Sequence, residues 1–153
     1  MTTSHGRTAA IPSAQDWARG ITIKQPHAAY SLTQIKTIEN RPQPWSWRGW
    51  LLLHAGLSLD RPALRLPVIA RTIRGHELPM GAVVGVARLT GCHQDPDGSP
   101  PCTERAQSGA WHLELTDVRA LALPIPARGQ PGPWQPTTDL LAQVRQQLPD
   151  LRP

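Results

Sequence analysis

The chain has no Phe, a single Tyr and only two residues each of Cys, Met and Lys. So few Cys exclude a small scaffold held by several disulfides, and no apolar run is long enough to span a bilayer. No secretory signal is apparent at the N-terminus. These absences predict a cytoplasmic protein that has no membrane partner and keeps its two thiols reduced.

A metal site around the two Cys would need more ligands at tighter sequence spacing. Cys92, His93, Cys102 and His112 could be assembled into one site on paper, but zinc sites usually bring their ligands together at tighter sequence spacing. We therefore expect two free thiols, no metal and no cofactor.

Proline and glycine, in contrast, are abundant, with 17 and 12 residues. They interrupt long helices, so many short elements joined by turns are expected. A length of 153 residues suits one domain, and six Trp with many Leu, Val and Ile supply the core. Residues 1–17 lack periodicity and are predicted to be a disordered lead-in to a domain at residues 18–150.

The net charge is +5, and Arg supplies most of it. A basic surplus of this size favours polyanions as partners, although many solvated surfaces are basic. Both lysines lie in one stretch, Ile23 to Ala55, which is rich in long polar side chains between apolar runs. Polar groups held on a packed scaffold are typical of a recognition site. The members of this predicted site within the stretch are Lys24, Gln25, His27, Lys36, Glu39, Arg41 and Arg48.

The order of motifs in this stretch resembles the ASCH family of PUA-like domains. Gln25-Pro26 stands where that family has its Gln-Pro turn, the segment Lys36 to Arg41 where it has Lys-x-x-Glu-x-Arg, and Gly49-Trp50 where a Gly opens a hydrophobic strand. Later motifs also match over roughly residues 20 to 140, ending in the Gly129 to Trp134 loop. Two positions depart from the family pattern, since His27 replaces a Trp and Gln34 replaces a Gly.

The resemblance implies an α+β fold, a small PUA-like β-barrel of about five to six strands with three to four short helices. The residue pattern predicts late strands at Trp111–Thr116 and Leu121–Ile125, joined by a tight turn. It also predicts a helix after Asp60 that Pro67 kinks or divides, and a last helix over Leu140–Leu148 capped by Thr138 or Asp139.

For function, the resemblance implies a nucleic-acid-binding cleft, with RNA favoured and single-stranded DNA possible. The cationic side chains suit phosphates, Gln25 suits a base edge, and His27 or Trp134 suits stacking on a base. Each also has a structural interpretation: Glu39 with Arg41 can be a surface ion pair, and a Trp can fill the end of a barrel.

The alternative is a hydrolase, either a ribonuclease or an enzyme that deacylates a modified cytidine. Some ASCH-like proteins carry a Lys, Thr and Glu set, and Lys36, Thr37 and Glu39 offer those groups here. A lysine with a lowered pKa could activate Thr37 or a water, with Glu39 as the proton acceptor.

Overall fold

A computed structural model describes residues 16–33, 37–103 and 106–153. Residues 1–15 of the predicted lead-in lie outside these ranges. The strands are β1 (Ala18–Gln25), β2 (Ile38–Arg41), β3 (Gly49–Leu59), β4 (Ala82–Gln94) and β5 (Trp111–Pro126). The helices are α1 (His27–Ser31), α2 (Pro67–Ile73) and α3 (Thr138–Gln147), with a 3₁₀ turn at Pro62–Arg65.

The five strands form one mixed sheet in the order β1-β3-β4-β5-β2. Strand β1 runs parallel to β3, and the other neighbours are antiparallel. The predicted α+β class is therefore confirmed. In the described ranges the sheet does not close by strand pairing, so β1 and β2 remain its two edges.

The late part of the sheet differs from the prediction of two short strands. Strand β5 is continuous over 16 residues and pairs with β4 along most of its length. Irregularities in the β4–β5 register bend the pair, and Asp117 has a φ of 49° at the predicted turn. The chain thus bends at Asp117 without leaving the sheet, because bulges absorb extra residues in a paired strand.

The helical segments follow their turn and capping residues. As predicted, Pro67 divides the helix after Asp60, and the Asp60 carboxylate accepts a hydrogen bond from Ala63 N at 3.2 Å. Thr137, rather than Thr138 or Asp139, caps α3 by accepting from Leu140 N at 3.1 Å. No helix in the described ranges is long and apolar enough to cross a membrane.

Two apolar clusters lie on opposite faces of the sheet. Helix α3 covers one face, where Leu141 and Val144 pack on strand residues such as Leu52 and Val86. The other cluster contains Ile21, Leu51, Leu113 and Trp45. The continuous apolar run of β3 is explained by this arrangement, since residues on both faces of a central strand are buried.

Trp134 closes the first cluster against β1. Its backbone pairs with Gly20 in both directions, at 2.7 and 3.0 Å, and its ring lies over Gly20. A Cβ added to Gly20 would lie 2.0 Å from the indole. Only glycine therefore permits this approach of loop and strand.

We predict that Trp134→Ala lowers the free energy of unfolding by about 3–5 kcal/mol, because the indole is 5% exposed and its removal leaves a cavity. Denaturant titration measures the change. Leu123→Ala, at a side chain 71% exposed, is the control and should be nearly neutral. Equal effects of the two substitutions would contradict this description of the core.

Candidate nucleic-acid interface

A cleft separates the two edge strands of the sheet. It holds a cavity of about 400 Å³ between β1 and β2. Four of the predicted site residues line it, together with polar residues that come from elsewhere in the chain. The lining side chains include Lys24, His27, Glu39, Arg41, Asn40, Asp60 and Gln107.

Arg41 spans the cleft. Its Nη2 donates to the Thr22 carbonyl of β1 at 2.7 Å, and it lies 3.8 Å from the Glu39 carboxylate. Its guanidinium also lies over the Trp45 ring, 5.7 Å from the centroid. The Nε atom is buried and has no hydrogen-bond partner among the described residues. Arg41 is therefore held in place by contacts with both edge strands.

Arg41 and Thr22 also line a second cavity of about 500 Å³. His54 lies at its base and is 1% exposed. Its Nε2 is 2.6 Å from the Ala127 carbonyl, which can only accept, so Nε2 carries the proton. Nδ1 of the same ring is buried without a hydrogen-bond partner in the part of the chain that the structure describes.

The loop after β5 forms the outer wall of this second cavity. Arg128 is exposed there, and Gly129 packs directly over His54. A Cβ at Gly129 would lie 2.8 Å from both the His54 ring and Thr22 Oγ1. Arg41 thus lines both cavities, and the lining of the second one includes two residues with buried polar atoms that have no partner in the described ranges, Arg41 and His54.

His27 is held by Asp60 rather than left free to stack. Its Nε2 lies 2.7 Å from Asp60 Oδ2, and the imidazole is 21% exposed. The hydrogen bond from His27 holds the pKa of Asp60 below its ordinary value of 3.8, and burial acts in the opposite direction. Lys24 is exposed at the rim of the same cavity and its charge also lowers the pKa of Asp60.

Gln25 lies inside the protein. It is 0% exposed, its amide nitrogen donates to the Pro79 carbonyl at 2.9 Å, and its amide oxygen accepts from Ala29 N at 3.0 Å. From the end of β1, the amide oxygen thus contacts α1 and the amide nitrogen contacts the segment before β4. Its contacts are those of a structural residue.

Arg48 and Trp134 are likewise engaged elsewhere. Arg48 Nη1 donates to the carbonyls of Trp45 and Trp47, at 2.5 and 2.9 Å, and orders the loop before β3. Trp134 is buried over Gly20, and its Nε1 donates to Thr22 Oγ1 at 3.2 Å. The structure therefore does not bring these two side chains into the cleft.

The predicted catalytic set is only partly described. Lys36 lies outside the described residues. Thr37 is exposed, and its carbonyl accepts from Leu115 N at 2.9 Å, while Glu39 is 8% exposed and faces Arg41. A constellation of the three side chains is therefore not established.

Sequence reasoning missed several cleft residues that the fold supplies from distant segments. The predicted site does not include Asp60, which enters the prediction only as the residue before a helix, or His54, which lies inside the apolar run of β3. No sequence pattern marks Arg128 or Gln107 as a site residue, because both are single polar residues in loops rich in turn-forming residues. Their positions follow from the sheet topology and not from any local pattern.

We predict that Gln25→Ala lowers the free energy of unfolding by about 1–3 kcal/mol, because it leaves the Pro79 carbonyl and Ala29 N–H without their partner. Thermal and denaturant unfolding test this. Gln130→Ala, at an exposed glutamine, is the control. An unchanged stability for Gln25→Ala would show that the amide is not a structural bridge.

We also predict an acid-dependent effect of Asp60→Asn. Because the folded-state pKa of Asp60 is lowered, its carboxylate stabilises the fold above pH 3.8, and this contribution is lost as pH falls through the folded pKa. The melting temperatures of wild type and variant should differ at neutral pH and converge in strong acid. Asp97→Asn, in an exposed loop, is the control, and a pH-independent difference for Asp60→Asn would contradict the assignment.

In comparisons with known proteins, no family model and no curated protein matches this chain.

Proposed function

We propose that the protein binds single-stranded nucleic acid, with RNA favoured, in the cleft between β1 and β2. The observation that carries the proposal is a pair of buried polar atoms without a partner among the described residues, one on Arg41 and one on His54. The atoms are the Arg41 Nε–H, which is a donor, and His54 Nδ1, and both residues line the second cavity. An unsatisfied buried polar group is costly, so two in the lining of one cavity favour a ligand with polar edges.

A nucleobase meets these requirements. Each base edge carries donors and acceptors in one plane, and bases of an unpaired strand are free to enter a pocket. The cavities of about 400 and 500 Å³ fall within the size range of small-ligand sites. Asn40 and Gln107 add amide-bearing side chains to the lining of the first cavity.

The charges favour a few phosphate contacts at the rim. Lys24 and Arg128 are exposed on the two cavities, while Glu39 and Asp60 offset part of the positive charge inside. Contacts with bases would then contribute more to the binding affinity than neutralisation of a long phosphate backbone. This differs from the sequence-based expectation, in which four cations contact phosphates.

We further propose that the domain belongs to the ASCH family and that its sheet is a PUA-like barrel opened at the cleft. Supporting this, the Gln25-Pro26 turn and the Glu39-x-Arg41 segment lie at the two edge strands, and Arg41 joins them. The preference for RNA, and the cytoplasmic location, follow from this family resemblance and from the composition.

We predict a salt dependence set by two phosphate contacts. If Lys24 and Arg128 each neutralise one phosphate of a single strand, log affinity falls with log salt at a slope of about −1.4. Lys24→Gln and Arg128→Gln should each reduce this slope by about 0.7 and weaken all sequences similarly. Fluorescence anisotropy with short labelled RNA and DNA strands measures the slope.

Arg71→Gln provides the matched control, because it removes one exposed charge from α2 without lining either cavity. Its salt slope should equal that of the wild type. Equal slopes for all three variants would place binding elsewhere, and no binding of any strand would reject the proposal. Analysis of the recovered strands separates binding from cleavage, since shortened RNA would indicate the ribonuclease form of the hydrolase alternative with Lys36, Thr37 and Glu39.

A further inference from the structure

A second polar cluster lies at the far end of the β4–β5 pair. His93, Asp95, Cys102 and His112 each place one ligand atom within 4.8 Å of the other three. His93 and His112 are direct cross-strand partners, so their side chains share a face of the sheet. Asp95 and Cys102 come from the loop that joins the two strands.

The three distances from His112 Nδ1 to the other ligand atoms match the edges of a tetrahedron. His112 Nδ1 lies 3.4 Å from His93 Nε2, 3.5 Å from Cys102 Sγ and 3.6 Å from an Asp95 oxygen. His93 Nε2 lies 3.2 Å from the other Asp95 oxygen. Zinc bonded to nitrogen or oxygen at about 2.0–2.1 Å and to sulfur at about 2.3 Å gives tetrahedral edges of about 3.3–3.6 Å.

The outer contacts orient both histidines for metal binding. Nε2 of His112 lies 3.0 Å from the Gln107 carbonyl, which can only accept, so the proton is on Nε2 and Nδ1 offers its lone pair to the cluster. Nδ1 of His93 lies 3.4 Å from a Glu114 oxygen, and this carboxylate favours a proton on Nδ1 and a lone pair on Nε2. Metal-ligating histidines are held in this way by a carbonyl or a carboxylate.

Two further details support the arrangement. Gly91 leaves room for the Glu114 carboxylate, since a Cβ there would lie 2.2 Å from Glu114 Oε2. The Asp95 carboxylate accepts from Cys102 N at 2.9 Å, which fixes its orientation. A cation between the four ligand atoms would be coordinated by the nitrogen, oxygen and sulfur lone pairs that face inward.

We propose that His93, Asp95, Cys102 and His112 bind a structural Zn²⁺ ion that fastens the β4–β5 loop to the sheet. Thiolate, imidazole and carboxylate are all zinc ligands, and four protein ligands leave no position open for catalysis. The sequence-based expectation of no metal considered Cys92 in place of Asp95. Strand alternation turns Cys92 to the opposite face, where it packs against the second apolar cluster.

Reduced protein, freed of metal by chelator dialysis, is titrated with Co²⁺ and with Zn²⁺. We expect one ion per chain, a thiolate-to-Co²⁺ charge-transfer band with intense visible bands that Zn²⁺ bleaches, and a higher melting temperature with Zn²⁺. Cys102→Ser should abolish the charge-transfer band and the gain in melting temperature. Cys92→Ser is the matched control and should retain both.

Glu114→Gln tests the orienting contact and should weaken Zn²⁺ binding by about tenfold, within the range for outer partners of a ligand. Glu77→Gln, at an exposed glutamate, should bind as the wild type does. Because Cys102 is exposed, its substitution leaves the core intact. No metal-dependent change in the wild type, or a charge-transfer band that survives in Cys102→Ser and disappears in Cys92→Ser, would overturn the proposal.

Discussion

The contact of Arg41 with Thr22 is the constraint on which the candidate site depends. The sheet order places β1 and β2 at opposite edges, yet a guanidinium from one edge reaches a carbonyl of the other at 2.7 Å. A side chain takes the place of strand pairing there, so the edges approach without closing. The gap that remains is lined by polar side chains and holds two cavities that Arg41 lines. Unpaired strand edges normally need protection, and here one long cation supplies part of it.

The described polar residues of the stretch from Ile23 to Ala55 divide into two groups with different roles. Gln25 and Arg48 satisfy backbone carbonyls and hold turns in place. Lys24, His27, Glu39 and Arg41 line the cleft. Long polar side chains near turns suit both purposes, because turns expose backbone groups that need partners. A motif of such residues therefore contains both structural and cleft-lining side chains. For any substitution in it, the free energy of unfolding should be measured before a change in binding is interpreted.

The loop between β4 and β5 connects the cleft with the second polar cluster. Gln107 lines the first cavity, its N–H donates to Asn40 Oδ1 at 2.9 Å, and its carbonyl lies 3.0 Å from His112 Nε2. Asn40 and His112 are themselves cross-strand partners on β2 and β5. Ordering the loop at the proposed zinc site would thus also order one wall of the cleft. The link between the two sites consists of the two backbone hydrogen bonds of Gln107.

The sequence by itself determined a break in the helix at Pro67, because proline geometry acts locally. The α+β class and the grouping of Lys24, His27, Glu39 and Arg41 were predicted from the order of motifs along the chain and the family resemblance that it carries. Tertiary structure alone decided that Gln25 and Trp134 are buried, that β5 is continuous through Asp117, and that Asp95 rather than Cys92 joins the histidines. Each of these depends on which segments approach one another, because burial and cross-strand register are set by partners far away in the chain. Periodicity can assign a side chain to one face of a strand, but only the packed sheet shows what lies on that face.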